Sequence, residues 1–253
     1  MSKHLISRLI NRKLRRLLGE ATCLFIVGDR GAGKSAMMCM ALDVSRDYDI
    51  PVYSTYPVLG AIKLPLKEVK RQGVVRFELD REFLYTHDFH DCIVLIDECR
   101  TLWPARGFKD WTAMDDEFFN FLRKNRIKLW LSSQAYDAVD LNIRRDADYC
   151  VHLSQHPFFP NISYVDLCKS TLAKVADRNT ELVGRGLKRG LRKVTWDVCE
   201  AHVKDCKFAR KPYYGLFDSY YTPVVRTPLP SPEEMGIFDS LYPVQDGPVE
   251  APV

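Results

Sequence analysis

Residues Gly28-Asp29-Arg30-Gly31-Ala32-Gly33-Lys34-Ser35 spell an unbroken GxxxxGKS. Glycines at this spacing let the backbone curl until its N–H groups converge on phosphate oxygens. Lys34 would reach the β- and γ-phosphates of ATP, and the Ser35 hydroxyl would ligate Mg²⁺. A second set of chemical groups follows the apolar run Cys92–Ile96, where Asp97 and Glu98 stand side by side. A buried strand ending in two acids is the Walker B arrangement: Asp97 for the metal, Glu98 to polarise an attacking water. Gln134 ends the run Leu-Trp-Leu-Ser-Ser-Gln, where it could sense the γ-phosphate or position the water. Four arginines could complete a charge clamp, Arg123, Arg126, Arg144 and Arg145. Arg126 and Arg144 are the leading candidates, and action on a neighbour's nucleotide would require an oligomer.

These groups need a scaffold that carries them to one edge. Ala21–Val27 reads as a buried strand feeding the loop, and Lys34 to about Arg46 as the helix leaving it. The helix would add its positive end to the anion site. Pro51–Val58, Val74–Leu79, Cys92–Ile96, Leu129–Ser132 and Asp148–Leu153 read as further strands, and Asp115–Asn125 as an amphipathic helix. Strands alternating with helices predict an α/β fold, a mostly parallel sheet with helices on both faces.

The chain's 253 residues suit one sizeable core, and a net charge of +4 does not by itself point to nucleic acid. None of the eight cysteines forms a CxxC pair, which fits buried thiols in a reducing compartment. His87, His90 and Asp91, or Cys150, His152 and His156, lack the spacing of a structural zinc site. No apolar stretch approaches the ~18 residues of a membrane span, and no secretory signal is visible. A soluble intracellular protein is the expectation at this point.

Residues 1–20 read as a basic amphipathic helix, 21–222 as the catalytic domain, and 223–253 as a proline-rich tail, extended or laid over a partner. The helix could pack on the core with a solvated basic face, lie on a membrane, or serve as a nucleic-acid arm. Arg185, Lys188, Arg189, Arg192 and Lys193 form a basic run broken by glycines. It reads equally as a solvated loop or as a DNA contact made to phosphates without reading sequence. Tyr213, Tyr214, Tyr220 and Tyr221 could stack on bases, although packing is the simpler role.

The segment Asp97-Glu98-Cys99-Arg100-Thr101-Leu102-Trp103, with Arg106 and Trp111, resembles the region after Walker B in zonula occludens toxin (Zot)-like proteins. These include the filamentous-phage assembly ATPases, within the FtsK–HerA group. The likeness continues through Phe118–Arg123, Ser133-Gln134, the Asp140–Cys150 stretch and Tyr214–Ser219. It implies a RecA-like P-loop NTPase core acting as a homo-oligomeric ring, expected as a hexamer. Such a ring would move viral DNA alongside capsid or membrane-associated assembly proteins. The filamentous-phage proteins typically carry a transmembrane helix after this domain, whereas a proline-rich tail follows here. The chain is also similar to genome-packaging ATPases of tailless icosahedral phages, so packaging leads extrusion slightly. The competing classes are a small-molecule P-loop kinase and a nucleotide-switched scaffold.

Overall fold

Leu24 and Ile26 point to one side of the first strand and Phe25 and Val27 to the other, and all four are buried. A strand apolar on both faces needs cover on both. The computed structural model describes residues 3–71, 74–105, 111–169, 200–218 and 224–225, and in it that requirement organises the whole molecule. The main sheet has eight strands in the order β10-β9-β8-β1-β7-β6-β2-β3. They are β1 (Cys23–Gly28), β2 (Val52–Ser54), β3 (Ile62–Lys63), β6 (Cys92–Ile96), β7 (Ile127–Ser133), β8 (Tyr149–Gln155), β9 (Ile162–Lys169) and β10 (Glu200–Ala209). Strands β8, β1, β7, β6, β2 and β3 run parallel, while β9 and β10 add an antiparallel edge.

One face carries α1 (Lys3–Glu20), α2 (Lys34–Cys39) and α3 (Ala41–Tyr48). Leu14, Leu18, Met37, Met38 and Val44 pack there with Leu24, Ile26, Trp130 and Phe208. The other face carries α5 (Ala113–Phe121) and α6 (Leu141–Asp146), beside α4 (Arg81–Thr86). Leu84, Phe118, Phe119 and Ile143 pack there with Phe25, Val94, Leu129 and Leu131. The fold is thus α/β, a mostly parallel sheet with helices on both faces.

Several elements differ from the sequence expectation. The carboxyl half of α1 is part of the central core: Leu14 and Leu18 are fully buried, and the Asn11 side-chain amide bonds both backbone groups of Ala209. Arg12, Lys13 and Arg16 on the same helix face solvent. The expected strand at Val74–Leu79 forms as β5, but outside the main sheet. It pairs antiparallel with β4 (Leu66–Arg71) and β11 (Val224–Val225) in a separate three-stranded sheet. The strand expected over Pro51–Val58 shortens to Val52–Ser54, because Ser54 turns the chain by bonding the backbone of Tyr56 in both directions. The run Arg185–Lys193 and most of the proline-rich tail lie outside the described residues.

A buried acid welds the second face together. Asp115 is fully buried, and its carboxylate accepts hydrogen bonds from Arg81 Nη2 (2.8 Å to each oxygen), Trp103 Nε1 (2.7 Å) and the Thr112 amide (2.8 Å). Tyr85 also donates to it, and Thr112 and Asp115 form the capping box that starts α5. Burial pushes the Asp115 carboxyl up, but the hydrogen bonds from Tyr85, Trp103, Thr112 and Arg81 outweigh it and hold the group below the ordinary carboxylate value. A depressed folded-state value contributes stability above the unfolded-state value near ~4, lost as pH falls through the folded one. Asp115→Ala should therefore cost about 3 kcal/mol or more of unfolding free energy, because Arg81 and Trp103 lose a buried acceptor. In urea titrations, Asp115→Asn should also flatten the loss of stability below pH ~4 that wild type shows.

Candidate nucleotide site

The loop Gly28–Ser35 emerges from the carboxyl end of β1 and closes into α2. Gly31 and Gly33 have φ of 76° and 99°, a left-handed backbone that costs other residues roughly 1–2 kcal/mol. Space adds a second demand for glycine. A Cβ on Gly33 would lie 2.4 Å from Arg210 Cδ, and one on Gly28 would lie 2.4 Å from the Leu153 carbonyl. Lys34 Nζ folds back onto its own loop, donating to the carbonyls of Gly28 (2.6 Å) and Asp29 (3.0 Å). Burial lowers the Lys34 ammonium from its usual value, opposed by the negative charges of Glu98, Asp97 and Asp29. A triphosphate would supply the anionic partner that this half-buried cation lacks.

The expected acids arrive on neighbouring strands. Strand β7 sits between β1 and β6, with Val27 level with Ser133 and Ile96 level with Leu131. Asp97 is pinned by its amide on Thr55 Oγ1 (3.0 Å) and by its carboxylate, which accepts from the Ser132 hydroxyl. Glu98 adopts a left-handed backbone (φ 50°), uncommon for a residue with a side chain. Its amide bonds Ser132 Oγ (3.2 Å), and its carboxylate accepts from the Ser133 hydroxyl and the Gln134 amide (3.4 Å each) and from Arg100 Nε (2.9 Å). Gln134 Oε1 accepts from Arg30 Nε at 3.5 Å, so the end of β7 touches both halves of the site.

The two leading arginines are placed elsewhere. Arg126 precedes β7, at the opposite edge of the sheet from the loop, with its guanidinium paired to Asp91. Arg144 lies in α6 with its guanidinium 5.0 Å over the Tyr136 ring and a buried Nε that has no hydrogen-bond partner among the described residues. Arg123 faces Asp148 at 3.7 Å, also at the edge away from the loop. The parallel sheet explains Arg123 and Arg126, which precede β7: residues before a strand and after it lie at opposite ends.

Residues that sequence reading missed complete the site. The buried Arg210, just after β10, donates Nη1 to the Gly31 carbonyl (2.6 Å) and Nη2 to the Pro160 carbonyl. Ser163 Oγ donates to the Ala32 carbonyl at 2.6 Å. Both secure the outer wall of the phosphate loop from the antiparallel edge.

The donor set fits a hydrated Mg²⁺. It consists of hard oxygens from Ser35 and Asp97, and Mg²⁺ usually keeps several waters and phosphate oxygens rather than an all-protein cage. Among the described residues no cluster of three or more His, Cys, Asp or Glu side chains could hold a metal on its own.

The chain is similar to several solved structures. The N-terminal domain of zonular occludens toxin from Neisseria meningitidis is similar at 17% identity and a TM-score of 0.44, covering 61% of this chain and 88% of that one. The genome packaging NTPase B204 of Sulfolobus turreted icosahedral virus 2, in complex with ATP-gammaS, is similar at 13% identity and 0.41, covering 56% and 90%. The flagellar accessory protein FlaH from Methanocaldococcus jannaschii is similar at 13% and 0.41, covering 64% and 85%. By its own strand order and its GxxxxGKS loop, this chain has a P-loop α/β fold built on a mostly parallel sheet. No protein-family model and no curated protein matches the sequence. Among the described residues no helix is long and apolar enough to cross a membrane.

Gly33→Ala should abolish measurable nucleotide binding, since the new Cβ meets both a left-handed backbone and Arg210. Arg210→Ala should weaken nucleotide binding about tenfold, because the Gly31 carbonyl loses its charged donor. Isothermal titration with Mg·ATP checks both, with circular dichroism to show that the variants fold.

Proposed function

We propose that this chain is an ATPase whose hydrolysis drives sequence-independent DNA translocation, most readily genome packaging into a viral procapsid, by a homo-oligomeric ring. The observation that supports the catalytic part is the convergence of Lys34, Asp97, Glu98 and Gln134 at the carboxyl ends of β1, β6 and β7. The viral motor reading rests on the residues after Walker B, Asp97–Trp103, and on the paired acids, which favour hydrolysis coupled to motion. The same segment supports virion assembly or extrusion of the filamentous-phage type as the second reading.

The loop amides and Lys34 bind the β- and γ-phosphates, Lys34 exchanging its bonds to the Gly28 and Asp29 carbonyls for phosphate oxygens. Ser35 and Asp97 would hold Mg²⁺, which neutralises charge on the β- and γ-oxygens. Ser132 and Thr55 keep Asp97 aimed at that position. Glu98 accepts the proton of the attacking water as the new P–O bond forms and ADP leaves. Its bond to Arg100 must loosen for the carboxylate to reach that water. Gln134 is placed to orient the water or register the γ-phosphate. Arg126 and Arg144 could act only across a subunit boundary.

The test is the ATPase rate of the full chain with no DNA, with single-stranded DNA and with double-stranded DNA at two salt concentrations. DNA should raise the rate several-fold at low salt and less at high salt, since phosphate contacts release counterions. Lys34→Ala should reduce the rate to background under every condition. A slow rate indifferent to both DNA forms would favour a nucleotide-switched scaffold, and phosphorylation of a small molecule would favour a kinase.

A further inference from the structure

Strand β1 has two neighbours, and the site described above uses one of them. Asp97, Glu98 and Gln134 lie on the β6–β7 side and mark where the γ-phosphate ends. On the other side is β8, and the turn that follows it, His156-Pro157-Phe158-Phe159-Pro160-Asn161, stands beside the phosphate loop. The Arg210 guanidinium bridges the two, with one nitrogen on the Gly31 carbonyl and the other on the Pro160 carbonyl. Gln155, the last residue of β8, places its Nε2 only 2.6 Å from where a Gly31 Cβ would be.

Side-chain contacts hold the turn, which presents apolar rings to solvent. His156 Nδ1 accepts hydrogen bonds from the amides of Phe158 and Phe159, each at 3.2 Å. The His156 ring stacks on Tyr164 at 4.7 Å and 25°, and Pro157 and Pro160 restrict the backbone on either side. Yet Phe158 is 81% and Phe159 57% exposed, among the largest apolar exposures in the described residues. Scattered exposed apolar residues need no explanation, but two adjacent rings on a pinned turn beside a phosphate cradle do.

We propose that Phe158 and Phe159 form the platform on which the base of the bound nucleoside triphosphate stacks. The inference rests on the phosphate-loop reading and extends it to the other end of the same ligand. A triphosphate whose γ end is fixed on the β6–β7 side must leave its base elsewhere, and the β8–β9 turn is tied to the loop by Arg210. A flat π-face recognises any base with little selectivity. The site should therefore accept ATP and GTP with similar affinity, the chemistry of a nucleobase rather than of adenine alone.

The experiment is calorimetric titration of the full chain with Mg·ATP and, separately, with Mg·tripolyphosphate, which has the phosphates and no base. In wild type ATP should bind more tightly than tripolyphosphate. In the double variant Phe158→Ala/Phe159→Ala, ATP should weaken about tenfold or more, while tripolyphosphate stays unchanged, which also shows that the variant folds. Phe158→Trp should keep ATP affinity and show indole fluorescence quenched by ATP but not by tripolyphosphate. An ATP affinity unaltered in the double variant would overturn the platform, including when DNA binding or ring assembly changes instead. Wild type binding neither ligand would overturn the phosphate-loop reading itself, and binding both with equal affinity would overturn the platform alone.

Discussion

The site depends on the in-register parallel pairing of β1, β7 and β6. Neighbouring strands lie about 4.8 Å apart, so one intervening strand separates the phosphate loop from the Walker B carboxylates by about 10 Å. That gap suits a terminal phosphate with a hydrated cation. The intervening strand is more than a spacer: Ser132 and Ser133 are fully buried, and their hydroxyls hold Asp97 and Glu98 from the side. A one-residue slip of β7 would move each hydroxyl to the other face, away from the carboxylate it now holds. The apolar cover on both faces, from Leu18 and Met37 on one and Phe119 and Ile143 on the other, opposes that slip.

The second support comes from the antiparallel edge. Strands β9 and β10 contribute Ser163 and Arg210, which hold the Ala32 and Gly31 carbonyls. The phosphate loop is thus braced from behind by residues far along the chain. The connection between β9 and β10 contains Arg185, Lys188, Arg189, Arg192 and Lys193, the run that reads equally as a solvated loop or a DNA contact and lies outside the described residues.

Much of this was legible in the sequence, for identifiable reasons. The loop and the acid pair are contiguous motifs whose chemistry demands particular residues at fixed spacing, and the strands that carry them are continuous apolar runs. Gln134 was legible as the polar end of such a run. The site's supports were not. Arg210, Ser163 and Thr55 act through contacts between residues distant in sequence, and nothing local distinguishes them from other polar residues. Strand β9 alternates buried Ser163, Val165 and Leu167 with less buried neighbours, but a buried serine at the start of that series hides the period. Asp115 read as an ordinary acid near a helix start, because its partners Arg81, Tyr85 and Trp103 come from other elements. Arg126 lies away from its own chain's loop for a topological reason: a residue just before a parallel strand sits at the opposite end from the residues that follow it.

The central claim is that Glu98 performs the chemical step in a site assembled by β1, β7 and β6. The most direct measurement is the nucleotide content of Glu98→Gln after incubation with Mg·ATP and rapid removal of free nucleotide. Glu98→Gln should be recovered as a near-stoichiometric complex holding ATP, with ADP formation slowed by about 100-fold or more relative to wild type. A Glu98→Gln protein that binds ATP and converts it to ADP at the wild-type rate would contradict it.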